Sequence, residues 1–294
     1  MRISIVISYE IAKSWDFADI IQRYDERDTI LYALGIGVGA DPMDEAELQF
    51  VYEKQLQVVP TMATVLGSPG PWLRNPELGA DFLKLVHGEQ AVKLLRSFPT
   101  AATVVAKNRV VSLTDKGAGK GAILVTLREL SEQSSGELLA ICRQTYFLRG
   151  DGGFSANSGI SDPGPEPLAA IPDRAPDVEL SLETLERQAL IYRLSGDYNP
   201  LHSDPEVARA AGFSRPILHG LSTFGMAAFA LLKGVCGYRS ERVKEIAARF
   251  TAPVYPGETI RFQFWREAPV EWRLRARVDA RDVVVLNNGR ASVA

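Results

Sequence analysis

Apolar positions follow two different periods along this chain. Residues 219–233 are apolar almost throughout: Gly220, Ser222, Gly225, Ala227, Ala228 and Ala230 are small, and Leu, Met and Phe occupy most of the positions between them. An apolar cylinder of this kind predicts a buried helix, and its small residues predict close approach by a sheet. Elsewhere the period is two. Trp272, Leu274, Ala276 and Val278 alternate with Arg273, Arg275 and Arg277, the mark of a half-buried strand. Other strand-like runs are AATVVAKNRVVSL, GAILVTLREL and ELLAICRQTYFL before the midpoint, and IAARFTAPV, TIRFQFWRE, WRLRARV and VVVLNN after it. Pro256-Gly257, between two such runs, predicts a hairpin turn.

Residues 151–176 are rich in Gly, Pro, Ser and Asp and predict a linker between domains at 1–150 and 177–294. The order of elements repeats on either side. Ile30-Leu31-Tyr32-Ala33-Leu34-Gly35 answers to Leu190-Ile191-Tyr192-Arg193-Leu194-Ser195. Leu85-Val86-His87-Gly88 answers to Ile217-Leu218-His219-Gly220, and each is expected to open a helix, to about Phe98 and about Lys233. Asp177, Ser181 and Glu183 read as helix-start residues. The result is an α+β fold made by tandem duplication.

Composition narrows the function classes. With 294 residues, 46% hydrophobic and 23% charged, the chain suits one large or two ordinary globular domains. A net charge of −3 speaks against nucleic acid as a partner. No run reaches the roughly 20 apolar residues a bilayer span needs. The opening MRISIVISYEIAKSW is too short in its apolar part for a secretory signal, and the ending ASVA is not a peroxisomal address. Cys142 and Cys236 read as buried free thiols in a reducing cytoplasm.

Candidate chemistry concentrates in YRLSGDYNPLHSDPEVARAAGFSRPILHG, residues 192–220. Asn199-Pro200 breaks any helix there, because the residue before proline is pushed out of the α region. Asp197 and His202 therefore sit on a pinned turn, and Asp204-Pro205-Glu206 restarts a helix with a cap, a proline and an acid. A carboxylate and an imidazole on one turn suit acid/base work. The backbone N–H of Gly220, at a helix start, suits an oxyanion. Asn199 reads as a turn former with a supporting role. The repeat decays at this point. With Tyr32 aligned to Tyr192, Gly37 stands opposite Asp197 and Pro42 opposite His202, so the first half lacks both titratable groups. His219 reads as scaffold, since His-Gly recurs in both halves. Asp197, His202 and Asp204 lack a two-histidine metal motif, no G-x-S-x-G elbow is present, and GIGVGA lacks the spacing of a nucleotide loop.

The string Asp197-Tyr198-Asn199-Pro200-Leu201-His202 resembles the hydratase 2 motif of MaoC-like (R)-specific enoyl-CoA hydratases. The resemblance extends to YDERDTILYALGIGVG, LVHGEQ, DKGAGKGA and ARFTAPVYPGETI, and so to nearly the whole chain. It implies a double hot-dog fold, two antiparallel sheets each wrapping a long apolar helix, with catalysis in the second half. It further implies reversible hydration of trans-2-enoyl-CoA by Asp197 and His202, with Asp197 as base and His202 as acid in the first assignment, although the sequence leaves the two roles exchangeable. His87, Gly88, Lys116, Tyr198, Pro200, Leu201 and Phe250 are implied at the substrate or coenzyme A surface. The implied partners are an acyl-CoA thioester and a second copy in a homodimer, with no metal, redox cofactor, nucleic acid or membrane. Competing readings are a dehydratase of branched, polyketide or dicarboxylic thioesters, a non-catalytic acyl-CoA-binding protein, and a hot-dog thioesterase. The long insertion from Asp41 to Ala80 carries Phe50, Val58, Val59, Met62 and Leu66, and predicts space for an acyl tail if no helix fills the first half.

Overall fold

In the computed structural model, which describes residues 6–294, the chain forms one ten-stranded antiparallel sheet. The first residues of the opening stretch read against a secretory signal lie outside the described range. Elements run α1 (Tyr9–Lys13), β1 (Ile20–Tyr24), α2 (Glu26–Gly35), α3 (Glu45–Leu48), β2 (Leu85–Leu94), β3 (Ala102–Asp115), β4 (Ala122–Glu132) and β5 (Leu138–Leu148). The second half runs β6 (Val178–Glu183), α4 (Gln188–Tyr192), α5 (Pro205–Ala210), α6 (Gly220–Leu231), β7 (Val243–Phe250), β8 (Thr259–Arg266), β9 (Glu271–Val278) and β10 (Val283–Val293).

Strand order is β1-β3-β4-β5-β2-β7-β10-β9-β8-β6, which reads the same from either edge once β6 is matched to β1 and β7 to β2. The duplication is therefore visible in the topology. The expected double hot-dog fold is present, with its two five-stranded halves joined into one sheet because β2 and β7 pair along a seam from Glu89 opposite Arg249 to Lys93 opposite Glu245. An ion pair at 2.7 Å between the Arg249 guanidinium and Glu89 crosses that seam.

Three further expectations need correction. Leu85-Val86-His87-Gly88 opens strand β2 and not a helix, so it is the counterpart of β7 and not of α6. Asp177 precedes a strand, and Ser181 and Glu183 lie on it: Val178, Leu180 and Leu182 face inward at period two. Pro256-Gly257 is a turn, but β7 and β8 on either side of it do not pair with each other, so it closes no hairpin.

The long helix of the second half is present. Helix α6 is buried from Ser222 to Leu231, continues through a wider π turn at Leu232–Cys236, and stops at left-handed Gly237. Gly220 at its start packs on strand β7, as the expected approach of a sheet requires, while Ser222 and Gly225 meet the end of the first half's helix α2. The Ser222 hydroxyl donates to the Gly35 carbonyl at 3.0 Å, and a methyl group on Gly225 would lie 2.5 Å from Ile36. Among the described residues, the first half has no matching helix. Between α2 and β2 the chain makes only the short α3 and single turns such as Pro60–Thr64. Phe50, Val58, Val59, Met62 and Leu66 are buried there in the main core, so the insertion itself fills much of the space.

Residues 151–176 carry no regular element yet are tied down. Buried Asp151 accepts from the Ile7 and Asp81 amides, Asp162 accepts from Lys13, Tyr9 and the Leu113 amide, and the Trp265 indole donates to the Arg174 carbonyl. Among the described residues, no helix is long and apolar enough to cross a membrane.

Candidate active site

The turn carrying Asp197 is built from local backbone chemistry. Helix α4 runs into a tighter turn at Arg193–Ser195, which ends on Gly196 with φ +120°, a conformation open to glycine at little cost. The Asn199 amide donates to Asp197 Oδ1 at 3.2 Å, and the Leu201 amide donates to Asn199 Oδ1 at 3.2 Å. Pro200 then starts a single helical turn that swings His202 inward. Asp204 caps α5 as the sequence indicates, accepting from the Glu206 amide at 2.8 Å.

His202 is 9% exposed and His219 is 1% exposed, both behind Asp197. Their rings stack with centroids 3.8 Å apart and planes 28° apart. Each ring is anchored by one backbone carbonyl. His202 Nδ1 donates to the Ile217 carbonyl at 2.9 Å, and His219 Nε2 donates to the Asp197 carbonyl at 3.1 Å. A neutral imidazole carries one N–H, so His202 keeps a lone pair on Nε2. Burial pushes the His202 pKa below its ordinary value, against the opposing pull of the Ile217 carbonyl and the Asp197 charge. His219 is pushed down to about 4, by burial first and by His202 second. Both rings are therefore neutral near pH 7.

Asp197 opens onto a cavity of about 500 Å³ between the halves. Of the residues expected to be catalytic, Asp197 and Asn199 line this cavity while His202 and Gly220 do not; of those expected at the substrate, His87, Tyr198 and Pro200 line it, and Gly88, Lys116, Leu201 and Phe250 are not among its lining residues. Gly88 sits at a bulge in β2, where a side chain would come 3.3 Å from the Thr145 carbonyl. The bulge turns His87 into the cavity, where close-packed neighbours push its pKa to about 4. Phe250 stands behind it, 5.0 Å from the His87 ring. A side chain on Gly220 would meet the Phe250 ring at 3.2 Å, a tight contact, so glycine lets α6 start this close to β7 without displacing that ring. Tyr198 is exposed beneath the Arg193 guanidinium. Lys116 is exposed on the β3–β4 turn, which Asp115 pins to the linker by accepting from Gly153 and Ser155.

The sequence reading missed several lining residues. Thr64, Trp72 and Arg74 come from the insertion, Phe82 from the turn before β2 and Tyr146 from the first-half sheet, where nothing in the local pattern marks them. It also placed His219 in the scaffold, whereas the structure stacks it on His202.

Asp197, His202 and His219 offer ligand atoms within 4.8 Å of one another, so this trio takes the place of the Asp197–His202–Asp204 set considered from sequence. Its geometry suits a metal poorly. An imidazole binds a metal in its ring plane at about 2.0–2.1 Å. An ion in the plane of one stacked ring lies well out of the plane of the other.

Comparison with known proteins agrees with the geometry. Residues 22–150 match the MFE-2 hydratase 2 N-terminal domain, and residues 167–288 match the MaoC like domain. The chain is 46% identical over 256 residues to enoyl-CoA hydratase 2, peroxisomal, of Arabidopsis thaliana, covering 83% of this chain and 82% of that one. It is 40% identical over 283 residues to 3-hydroxyacyl-thioester dehydratase Y of Mycobacterium tuberculosis, covering 91% and 92% of the two chains. Among solved structures, a MaoC-like dehydratase from Phytophthora capsici superposes with a TM-score of 0.83 at 33% identity, over 98% of this chain and 99% of that one.

Proposed function

Because this chain belongs to the MaoC-like enoyl-CoA hydratase 2 family, we propose that it adds water reversibly to trans-2-enoyl-CoA thioesters, giving (3R)-3-hydroxyacyl-CoA. The observation that carries this reading is the Asp197 carboxylate on the cavity wall with the carbonyl-anchored His202 ring beside it. Two acceptors set this close can hold one water by its two O–H bonds.

The tautomer changes the division of labour expected from sequence. Neutral His202 has no Nε2 proton to give at the start, so the group that protonates C2 must first take that proton from the water. His202 Nε2 accepts it as the water oxygen bonds to C3, and the resulting imidazolium returns it to C2. Asp197 holds the other O–H and stabilises the transient imidazolium. One proton leaves the water and one proton arrives at C2, so the step balances without a co-reactant. Delivery of both from one side gives syn addition. The developing enolate oxygen is assigned to the Gly220 N–H at the start of α6, aided by the positive end of that helix. Run backwards, the same steps dehydrate a 3-hydroxyacyl thioester.

In this reading residues 177–294 supply the chemistry and residues 1–150 hold the acyl chain. Lys116 is a cation suited to a phosphate of coenzyme A. The two cysteines, both buried free thiols, fit a reducing compartment such as the cytoplasm. Incubation of the purified protein with trans-2-enoyl-CoA, followed by chiral analysis of the product, tests the proposal. The (3R) alcohol is expected; a (3S) product, or thioester cleavage with no alcohol, contradicts it.

A further inference from the structure

Behind the dyad the protein buries polar groups that, among the described residues, find no hydrogen-bond partner: the Tyr32 and Tyr192 hydroxyls, the Ser195 hydroxyl and His219 Nδ1. Thr61 and Thr64 lie near the Tyr32 hydroxyl, and Thr64 also lies near the Tyr192 hydroxyl, without forming a well-made bond. Native interiors rarely leave such groups unsatisfied, and the ordinary remedy is ordered water.

These groups are not scattered. The Tyr32 and Tyr192 rings lie 6.0 Å apart, Tyr192 lies 4.9 Å from His219, and His219 stacks on His202. At its outer end the row meets a second cavity of about 170 Å³, lined by Tyr32 and Ser195 on the side of the molecule where β1 meets α2. This rear cavity shares Val65, Ser195 and Gly196 with the substrate cavity. The dividing wall is thin, and its last residue adjoins Asp197.

We propose that the row from Tyr32 through Tyr192 and Ser195 to His219 is a rear water path, by which the reacting water reaches and leaves the dyad while an acyl thioester fills the front cavity. This rests on the hydratase reading. A bound thioester occupies the approach past Asp197, so without a second route the water formed by dehydration stays trapped until the enoyl-CoA departs. The rear path removes that constraint. It also gives each of these groups a reason to be polar inside a largely apolar core.

The test uses (3R)-3-hydroxybutyryl-CoA carrying heavy oxygen in its hydroxyl. Dehydration breaks the C3–O bond, passes the C2 proton to the dyad and forms enoyl-CoA beside one labelled water. If that water escapes while enoyl-CoA remains bound, ordinary water adds back and the label is lost from the alcohol. Label loss then outpaces enoyl-CoA release, a ratio above unity, and plugging the rear cavity with Leu194→Trp or Leu31→Trp brings the ratio toward unity. Both leucines line the rear cavity and neither lines the substrate cavity. A ratio of unity in the unaltered enzyme, or a ratio that neither plug changes, overturns the path while leaving the hydratase reading in place. Complete absence of dehydration overturns the hydratase reading instead. Tyr32→Phe gives an independent readout: loss of a water-bridged hydroxyl lowers the melting temperature, whereas a rise shows that the hydroxyl had no partner and contradicts the path.

Discussion

His202 and His219 stack face to face at 3.8 Å, and each is fixed by a carbonyl of the other's neighbourhood. His219 Nε2 holds the Asp197 carbonyl, and Ile217, two residues before His219, holds His202 Nδ1. The turn with the carboxylate and the segment leading into α6 are thereby locked together. Both rings resist protonation chiefly because they are buried, and for His219 the neighbouring His202 adds to this.

This arrangement sets a pH dependence. All three histidines are held below the ordinary value of 6.5, with His87 and His219 near 4, chiefly by burial. Between those values the unfolded chain binds protons that the folded chain refuses, so stability rises with pH across that window. The expected result is a constant urea midpoint above about pH 6.5 and a falling one from there toward about pH 4. Hydration should follow, with its acid limb below the ordinary histidine range. A midpoint that holds steady or climbs between these pH values contradicts the account.

Arg128 on β4 is 2% exposed, and its guanidinium donates to the Thr64 carbonyl at 3.0 Å and the Leu66 carbonyl at 2.7 Å. It clamps the stretch that supplies Thr64 and Val65 to the cavity wall. Arg128→Met leaves those carbonyls unpaired, each costing about 1–3 kcal/mol. The predicted loss of stability, of the order of 3 kcal/mol, is read from urea unfolding, with a rise in KM for longer acyl chains. A change within about 0.5 kcal/mol, as at an ordinary surface site, would show that the clamp does nothing.

Much of the site was legible in the sequence, because Asn199-Pro200, Asp204-Pro205 and the run after His219 act locally. Gly196, Asn199 and Pro200 shape the turn by bonds to residues only two or three positions away. What the sequence concealed was long-range. The His-Gly shared by residues 87–88 and 219–220 suggested equivalent helices, but β2 is held as a strand by pairing with β5 and β7, more than 40 positions away in sequence. Its period-two pattern was masked at the Gly88 bulge. The joining of the halves into one sheet likewise depends on the β2–β7 seam, which leaves no local mark. Strand β6 was a plain misreading, since Val178, Leu180 and Leu182 do alternate.

Acyl length gives another check. The cavity of about 500 Å³ is bounded by Val65, Trp72, Leu73, Phe82 and Leu85, an apolar set beyond Asp197. Each further buried CH₂ contributes at most about 0.8 kcal/mol until the wall is reached. KM should therefore fall from crotonyl- through hexenoyl- to octenoyl-CoA and level off by decenoyl-CoA, with Trp72→Ala moving the plateau to longer chains. Strict preference for crotonyl-CoA would mean that the insertion closes the space completely.

If Asp197 and His202 act on one water, turnover of the two single variants shows it most directly. Asp197→Asn and His202→Gln keep the shape of each side chain and remove its proton chemistry. Each purified variant, with unfolding behaviour close to that of the parent, is predicted to lose about 10²–10⁴ in kcat on the best enoyl-CoA substrate. Near-parental turnover by either folded variant would contradict the account.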